Sequence, residues 1–137
     1  MKEFLKVNLE IDGFRLKDYG ALSEESVDYP DIIHPLAKDI SVGKYRRGII
    51  LCGSGNGVAI TANKYENIRA AICWETELVK LSRQHNDANI LVLGALFVTA
   101  QEAKKIIGAW LTTGFEGGRH SRRVKKIERI EKICTGA

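Results

Sequence analysis

Three short apolar runs punctuate the middle of the chain: Gly48-Ile49-Ile50-Leu51-Cys52, Ala70-Ala71-Ile72-Cys73-Trp74 and Ile90-Leu91-Val92-Leu93. None alternates with polar residues, so each reads as a strand covered on both faces, as in a parallel sheet with helices above and below. Helix-length segments separate them, Val58 to Tyr65 and about Glu75 to Gln84. Thr99-Ala100-Gln101-Glu102 is a capping box, with Thr99 as N-cap and Glu102 at the third helical position. The helix it opens sends Ala103, Ile107, Trp110 and Leu111 toward the core and stops near Gly114. A last helix spans about 119–134, with Val124, Ile127, Ile130 and Ile133 at near-helical spacing and Arg and Lys between them.

The front of the chain is less regular. Met1 to Glu10 reads as a helix with Leu5 and Leu9 on one side and Phe4 and Val7 beside them, broken by Asp12-Gly13. Phe14 to Tyr19 alternates well enough for a strand. A loop with Ser23, Glu24 and Glu25 follows, and then a helix from Ile32 to Ile40 with Pro35 in its first turn. With no linker or repeat, βα units in series make one α/β domain over residues 1–137. One feature conflicts with a doubly wound sheet. Such domains begin on a central strand, whereas this chain begins on a helix. Removing a central strand leaves buried backbone groups unpaired, so the expectation is an unusual topology or a usual first strand absent from this sequence.

Composition narrows the setting. At 137 residues, 45% hydrophobic and 28% charged, the chain can bury one core without staples and is not disordered. No apolar run is long enough to span a membrane, and the charged opening MKEFLKVNLE is no signal peptide. A non-exported, cytoplasmic protein is expected. Three cysteines, Cys52, Cys73 and Cys134, suit a reducing compartment and make neither a disulfide framework nor a zinc ribbon. The net charge of +4 is concentrated at the C-terminus, where seven basic and two acidic side chains lie between Arg119 and Lys132. A phosphorylated small molecule, nucleic acid, a membrane surface or an acidic partner can use such a stretch, and so can a plain solvated helix face.

Cys52-Gly53-Ser54-Gly55-Asn56-Gly57 sits directly after a buried strand and before a helix. Alternating glycines allow a tight turn and a close approach of backbone N–H groups to an oxyanion. A thiol there lies at the carboxyl edge of the sheet, where open α/β domains bind ligands, and nearby N–H dipoles favour its thiolate. A buried inert cysteine beside a tight turn is the competing reading. The spacing GxGxG is not the dinucleotide fingerprint, and no Lys-Ser or Lys-Thr pair follows for a P-loop. His85, in Arg83-Gln84-His85-Asn86-Asp87-Ala88-Asn89, is the best proton-transfer candidate by its near-neutral pKa, yet it precedes a strand and so falls at the other sheet edge. His34 reads as a packed or capping residue, and Lys64 and Arg69 as surface cations. Arg119 and Arg123, four apart on one helix face, match a phosphate dianion. The lack of aromatics between the basic residues weakens RNA binding.

Together these segments resemble ribose-5-phosphate isomerase of the B type, in the family that includes galactose-6-phosphate isomerase subunits. The resemblance rests on Ser26-Val27-Asp28-Tyr29-Pro30-Asp31, Cys52 to Gly57, Ala62-Asn63-Lys64, Ile68-Arg69-Ala70, His85 to Asn89 and Phe115-Glu116-Gly117-Gly118-Arg119-His120. It implies a Rossmann-like α/β/α sandwich with a mostly parallel sheet, and a homodimer, or a tetramer built from it, with sites shared between subunits. It also implies interconversion of aldose and ketose phosphates in the pentose phosphate pathway, without cofactor, metal, nucleic acid or membrane. By the same resemblance Cys52 is the base between C1 and C2, Ser54 stands where the family usually has Thr, and His85 opens the furanose ring. Backbone groups of Gly53, Gly55, Asn56 and Gly57 hold the enediolate, Tyr29 and Asn86 contact the sugar, and Arg119 and Arg123 clamp the phosphate. The family's opening strand, ending in an Asp-His type dipeptide, has no counterpart in this sequence. Cys52 resembles the ribose-5-phosphate branch, and Asn56 offers no alternative carboxylate base. A 6-phosphorylated hexose such as allose 6-phosphate, or a non-catalytic sugar-phosphate-binding or structural subunit, is the alternative.

Overall fold

In the computed structural model the three apolar runs form three parallel strands of one sheet: β1 (Gly48–Cys52), β2 (Ala70–Ile72) and β3 (Ile90–Gly94), in the order β1-β3-β2. The structure describes residues 1–21 and 28–135, so the loop expected at Ser23, Glu24 and Glu25, and Ser26 and Val27 of the first motif, lie outside the described residues. Among the described residues six helices accompany the sheet: α1 (Lys2–Ile11), α2 (Tyr29–Ser41), α3 (Asn56–Ala62), α4 (Thr76–Asn86), α5 (Ala100–Thr112) and α6 (Arg119–Thr135). Every residue of β3 is buried, which explains its continuous hydrophobicity.

The two sheet faces carry separate cores. Ile50, Ile90 and Val92 point to one face, where Ile33, Leu36, Ala37 and Ile40 of α2 and Val58, Ala59 and Ala62 of α3 cover them. Leu91 and Leu93 point to the other, against Leu5 of α1, Val79 of α4, and Ala103, Ile106, Ile107 and Trp110 of α5. Period-two alternation along the strands and 3.6-residue spacing along the helices thus produce an α/β/α sandwich. The expected capping box is formed: Thr99 Oγ1 accepts from the Glu102 N–H at 3.1 Å, and Glu102 Oε2 from the Thr99 N–H at 3.0 Å.

Several boundaries move for identifiable reasons. Helix α2 begins three residues before the expected Ile32, with Pro30 in its first turn, so Pro35 lies inside the helix. Burial of Ile33, Leu36, Ala37 and Ile40 outweighs the bond Pro35 cannot donate. Helix α3 is shorter than expected because Asn63 leaves it to pair with the Ala70 backbone, accepting at 2.8 Å and donating at 3.1 Å. Helix α4 runs on to Asn86, so His85 and Asn86 are helical rather than in a loop.

The expected strand Phe14–Tyr19 does not form. A strand needs a neighbour in pairing reach, and a cavity of about 380 Å³ separates β1 from this segment, with Arg15 to Ala21 on one side and all of Gly48 to Cys52 on the other. The segment is tied instead through side chains: Lys6 donates to Asp18 at 3.0 Å and Tyr19 to Asp39 at 2.6 Å. Among the described residues β1 is an edge strand of the sheet.

Leu91→Ala at the fully buried centre of the sheet should lower the unfolding free energy by ~3 kcal/mol, and Thr99→Ala by ~1 kcal/mol. Urea denaturation of both variants checks the ranking; a larger loss for Thr99→Ala contradicts this account of the core.

Candidate active site

Cys52 ends β1 with its side chain partly exposed. The loop behind it is tied to the end of β3: the Cys52 carbonyl accepts from the Ala95 N–H at 2.7 Å, and the Gly53 carbonyl from the Leu96 N–H at 3.1 Å. Cys52 faces Gly94 in the β1–β3 register, and that glycine is required by contact. A Cβ on Gly94 would come within 2.8 Å of the Ser54 carbonyl oxygen. Gly55, at φ +87°, starts α3 from the left-handed region that favours glycine, and a Cβ there would also strike Val92. Asn56 N–H donates to Ser54 Oγ at 3.2 Å. Among the described residues the N–H groups of Gly53, Ser54 and Gly55 donate to nothing, which leaves three donors beside the thiol. Tyr29, first residue of α2, lays its phenol against Gly57, where a Cβ would come within 2.5 Å of the ring. Cys52, the glycine loop with Ser54 and Asn56, and Tyr29 therefore converge at the carboxyl ends of the strands.

His85 and Asn86 end α4 and precede β3, so they belong to the other end of the sheet. Arg83 organises that region. Its buried guanidinium donates to Asp87 Oδ1 and the Ala88 carbonyl, both at 2.8 Å, and to the Thr113 carbonyl at 3.1 Å. It thereby joins the end of α4 to the segment leading into α6. The Glu116 N–H adds a bond to the Gln84 carbonyl at 3.1 Å. His120, in the first turn of α6, is 5% exposed and stacks on His85 with centroids 4.2 Å apart and planes at 11°. Arg119 and Arg123 stand exposed on the same stretch of α6. Burial, with positive charge at His85 and Arg119, pushes the His120 pKa down, while Glu116, 3.7 Å from its Nε2, opposes the shift.

The structure thus groups the sequence-derived candidates into two halves. Cys52, Ser54, Gly53, Gly55, Asn56, Gly57 and Tyr29 form one, and His85, Asn86, Arg119 and Arg123 the other. The Gly48 N–H bonds the Asn89 carbonyl at 2.9 Å, so the second half lies by the start of β1 and Cys52 at its end. Five residues of strand put those ends about 13 Å apart.

Other candidates resolve differently. His34 is not a cap: it is exposed on α2, lays its ring against that of Tyr65 with centroids 5.4 Å apart, and hydrogen-bonds the Tyr65 hydroxyl. Arg69 is not a free surface cation, because it donates to the Asp87 carbonyl at 3.0 Å and pairs with Asp87 and Glu128. Cys73 is buried, and burial raises its thiol to about 11, with a Ser82 hydrogen bond acting the other way. Sequence reasoning missed Arg83 and the role of Gly94; only the i,i+4 spacing of Arg83 and Asp87 hinted at the former.

His85, Glu116 and His120 bring three possible metal donors within 4.8 Å of one another. An imidazole binds a metal in its own plane, and two rings stacked at 11° cannot both aim at one ion unless one turns. The arrangement suits stacking rather than coordination. Among the described residues no helix is long and apolar enough to cross a membrane.

Residues 1–127 match the family model described as Ribose/Galactose Isomerase. The chain is 41% identical over 132 residues to ribose-5-phosphate isomerase B of Escherichia coli K12, covering 96% of this chain and 89% of that one. Among solved structures, ribose-5-phosphate isomerase B of Clostridium thermocellum superposes with a TM-score of 0.94 at 44% identity, covering 97% of this chain and 90% of that one. The Mycoplasma genitalium ribose-5-phosphate isomerase B with bound ribulose-5-phosphate superposes with a TM-score of 0.91 at 38% identity, covering 96% and 88%. A parallel α/β/α sheet with a thiol and a glycine loop at its carboxyl edge, matched over nearly its whole length, places this chain in the ribose/galactose isomerase family.

Proposed function

We propose that the chain interconverts ribose 5-phosphate and ribulose 5-phosphate, with Cys52 as the base. The observation that carries this is the partly exposed thiol beside the undonated N–H groups of Gly53, Ser54 and Gly55. Isomerisation moves one proton between adjacent carbons. The Cys52 thiolate takes the proton from C2 of the open-chain aldose, and the electron pair moves through C1 to the carbonyl oxygen, giving an enediolate. The loop N–H groups face that oxyanion, where fixed dipoles in a partly desolvated site lower the barrier. Returning the proton from the thiol to C1, while the O2 hydroxyl proton passes to O1, gives the ketose, so no oxidant, metal or cofactor is consumed. Ser54 Oγ stands by the same oxygens and Tyr29 borders the sugar. His85 opens the furanose ring, accepting the O1 proton and supplying one to the ring oxygen, Asn86 contacts the sugar, and Arg119 and Arg123 hold the phosphate.

One chain keeps these halves about 13 Å apart along the strands, so the site requires a second copy: a homodimer with two mixed sites, each taking Cys52 from one subunit and His85 with Arg119 from the other. Exposed apolar surface supports this assembly. On α6 only Val124 of the expected apolar stripe is buried, whereas Ile127, Ile130 and Ile133 are 50%, 60% and 71% exposed. Around the Cys52 loop Leu96 and Phe97 are 79% and 71% exposed, and Trp74 is 58% exposed. Such surfaces at both halves suit burial against a partner. The free thiols are compatible with a cytoplasmic setting.

Cys52→Ser should keep the fold and phosphate binding but reduce turnover of ribose 5-phosphate by about a hundredfold or more. Parent-like turnover excludes Cys52 as the base, and an inactive parent that turns over a 6-phosphorylated hexose moves the substrate assignment. Iodoacetamide should modify Cys52 ahead of Cys73, mapped by peptide mass with exposed Cys134 scored separately; equal labelling counts against an activated thiol.

Gly94→Ala should impair turnover by about tenfold or more with little change in the inhibition constant for inorganic phosphate, because the added methyl displaces the Ser54 carbonyl and leaves the arginines alone. An equal loss of phosphate affinity contradicts the separation into two halves.

Mixing inactive Cys52→Ser subunits with Arg119→Ala subunits, once exchange is shown by native mass, should restore part of the activity. The heterodimer then carries one site free of both substitutions. Activity staying at the mutant baseline places both residues in one subunit's site, and a monomer at micromolar concentration overturns the dimer.

A further inference from the structure

Two imidazoles lie stacked at the phosphate half of the site, and isomerisation gives a task to only one of them. A ring that trades protons with a sugar must present a given nitrogen in a given direction. Histidines that do so are ordinarily oriented by a hydrogen bond from the other nitrogen to a carbonyl or carboxylate. Among the described residues nothing hydrogen-bonds to the His85 ring; its close partner is the face of His120, 4.2 Å away and nearly parallel. The His120 ring is itself held from several directions. It is almost fully buried and Glu116 lies 3.7 Å from its Nε2, while the residue's backbone N–H, donating to the Gly117 carbonyl at 3.0 Å, fixes the turn that carries it. Helix α4, which carries His85, is tied to the segment that leads into α6, by Arg83 to the Thr113 carbonyl and by the Glu116 N–H to the Gln84 carbonyl.

We infer that His120 is a positioning residue for His85: its buried ring is the platform that fixes the plane of the His85 imidazole at the sugar. This rests on the isomerase reading of His85. The groups facing His120 are His85 from α4, Glu116 from the segment before α6, and Arg119 and Arg123 from α6. Three of the four are basic, and burial also disfavours charge, so the charged form of His120 is disfavoured although Glu116 opposes this. The contact between the rings is thus one of faces and shape, and the platform does not need a charge to make it.

The role is one of shape, so a flat apolar ring should serve where a small side chain does not. His120→Ala should lower kcat on ribose 5-phosphate about tenfold or more, with KM and the inhibition constant of inorganic phosphate within about twofold. His120→Phe should recover most of that loss, to within about threefold of the parent. NMR of imidazole-labelled protein gives a readout independent of turnover. In the parent and in His120→Phe the His85 ring protons should show the upfield displacement of a stacked ring, and in His120→Ala they should lose it. Urea denaturation separates a misfolded variant from a mispositioned one, and His120→Phe keeps the test alive if His120→Ala unfolds. Unchanged kcat in His120→Ala, or a loss in folded His120→Phe as large as in His120→Ala, overturns the positioning role. A parent inactive on ribose 5-phosphate that still shows the stacked His85 signal overturns the isomerase reading and leaves the stack in place.

Discussion

Strand β3 is the constraint on which the rest depends. It is paired on both edges and covered on both faces, so neither its register nor the side to which each residue points is free to vary. That register sets Gly94 opposite Cys52 and lets the next two N–H groups hold the Cys52 and Gly53 carbonyls. The glycine loop is consequently seated against backbone on one side and against the Tyr29 ring on the other. Catalytic loops on such scaffolds gain their geometry from the strand beneath them rather than from their own rigidity. The absence of a side chain at Gly94 is as much a part of the site as the thiol at Cys52.

A different interaction organises the opposite end. Arg83 is 6% exposed on its side chain and donates to three acceptors, the Ala88 carbonyl in a buried contact and the Thr113 carbonyl and Asp87 carboxylate in part-buried ones. A buried guanidinium is costly unless its donors are used, and a planar fork with several donors can join backbone segments that share no strand or helix. Here it joins the last turn of α4, the approach to β3 and the exit from α5. The stacked histidines follow from this, because α4 and α6 each deliver one imidazole to a junction already closed by backbone hydrogen bonds.

Much of the sheet was legible because its signals are local. The runs at Ile49, Ala71 and Leu91 announce strands buried on both faces, and Thr99 with Glu102 announces a helix start, since strand periodicity and capping depend on residues close in sequence. Phe14 to Tyr19 misled because alternation shows that a segment could pair, not that a partner lies within reach. Pro35 misled because propensity was overridden by four buried neighbours on the same helix. The Cys52 loop was readable from its glycines. The glycine that matters most for its placement, Gly94, is distant in sequence and becomes meaningful only through register. His85 carried a signal of its own, but its stack on His120 depends on how α4 meets α6, which no local pattern encodes. The apolar stripe of α6 was read correctly as a stripe, although the chain alone buries only its first residue.

That unburied stripe and the two separated halves express one physical situation. A three-stranded open sheet has two ends, and this sequence places the Cys52 thiol with its glycine loop at one and His85 with Arg119 and Arg123 at the other. Each half is well ordered by its own contacts, Gly94 and Tyr29 for the first and Arg83 with His120 for the second, so neither needs the other to take shape. What a single chain lacks is their juxtaposition. In the homodimer proposed here, the apolar surfaces at Leu96, Phe97, Ile127 and Ile130 leave water as the two halves meet, and the free energy of that burial assembles the site. Preorganised halves keep the ordering cost of assembly low. The buried stability of each chain and the exposed apolar surface between chains then have separate tasks, the first holding each group in place and the second bringing the groups to one sugar.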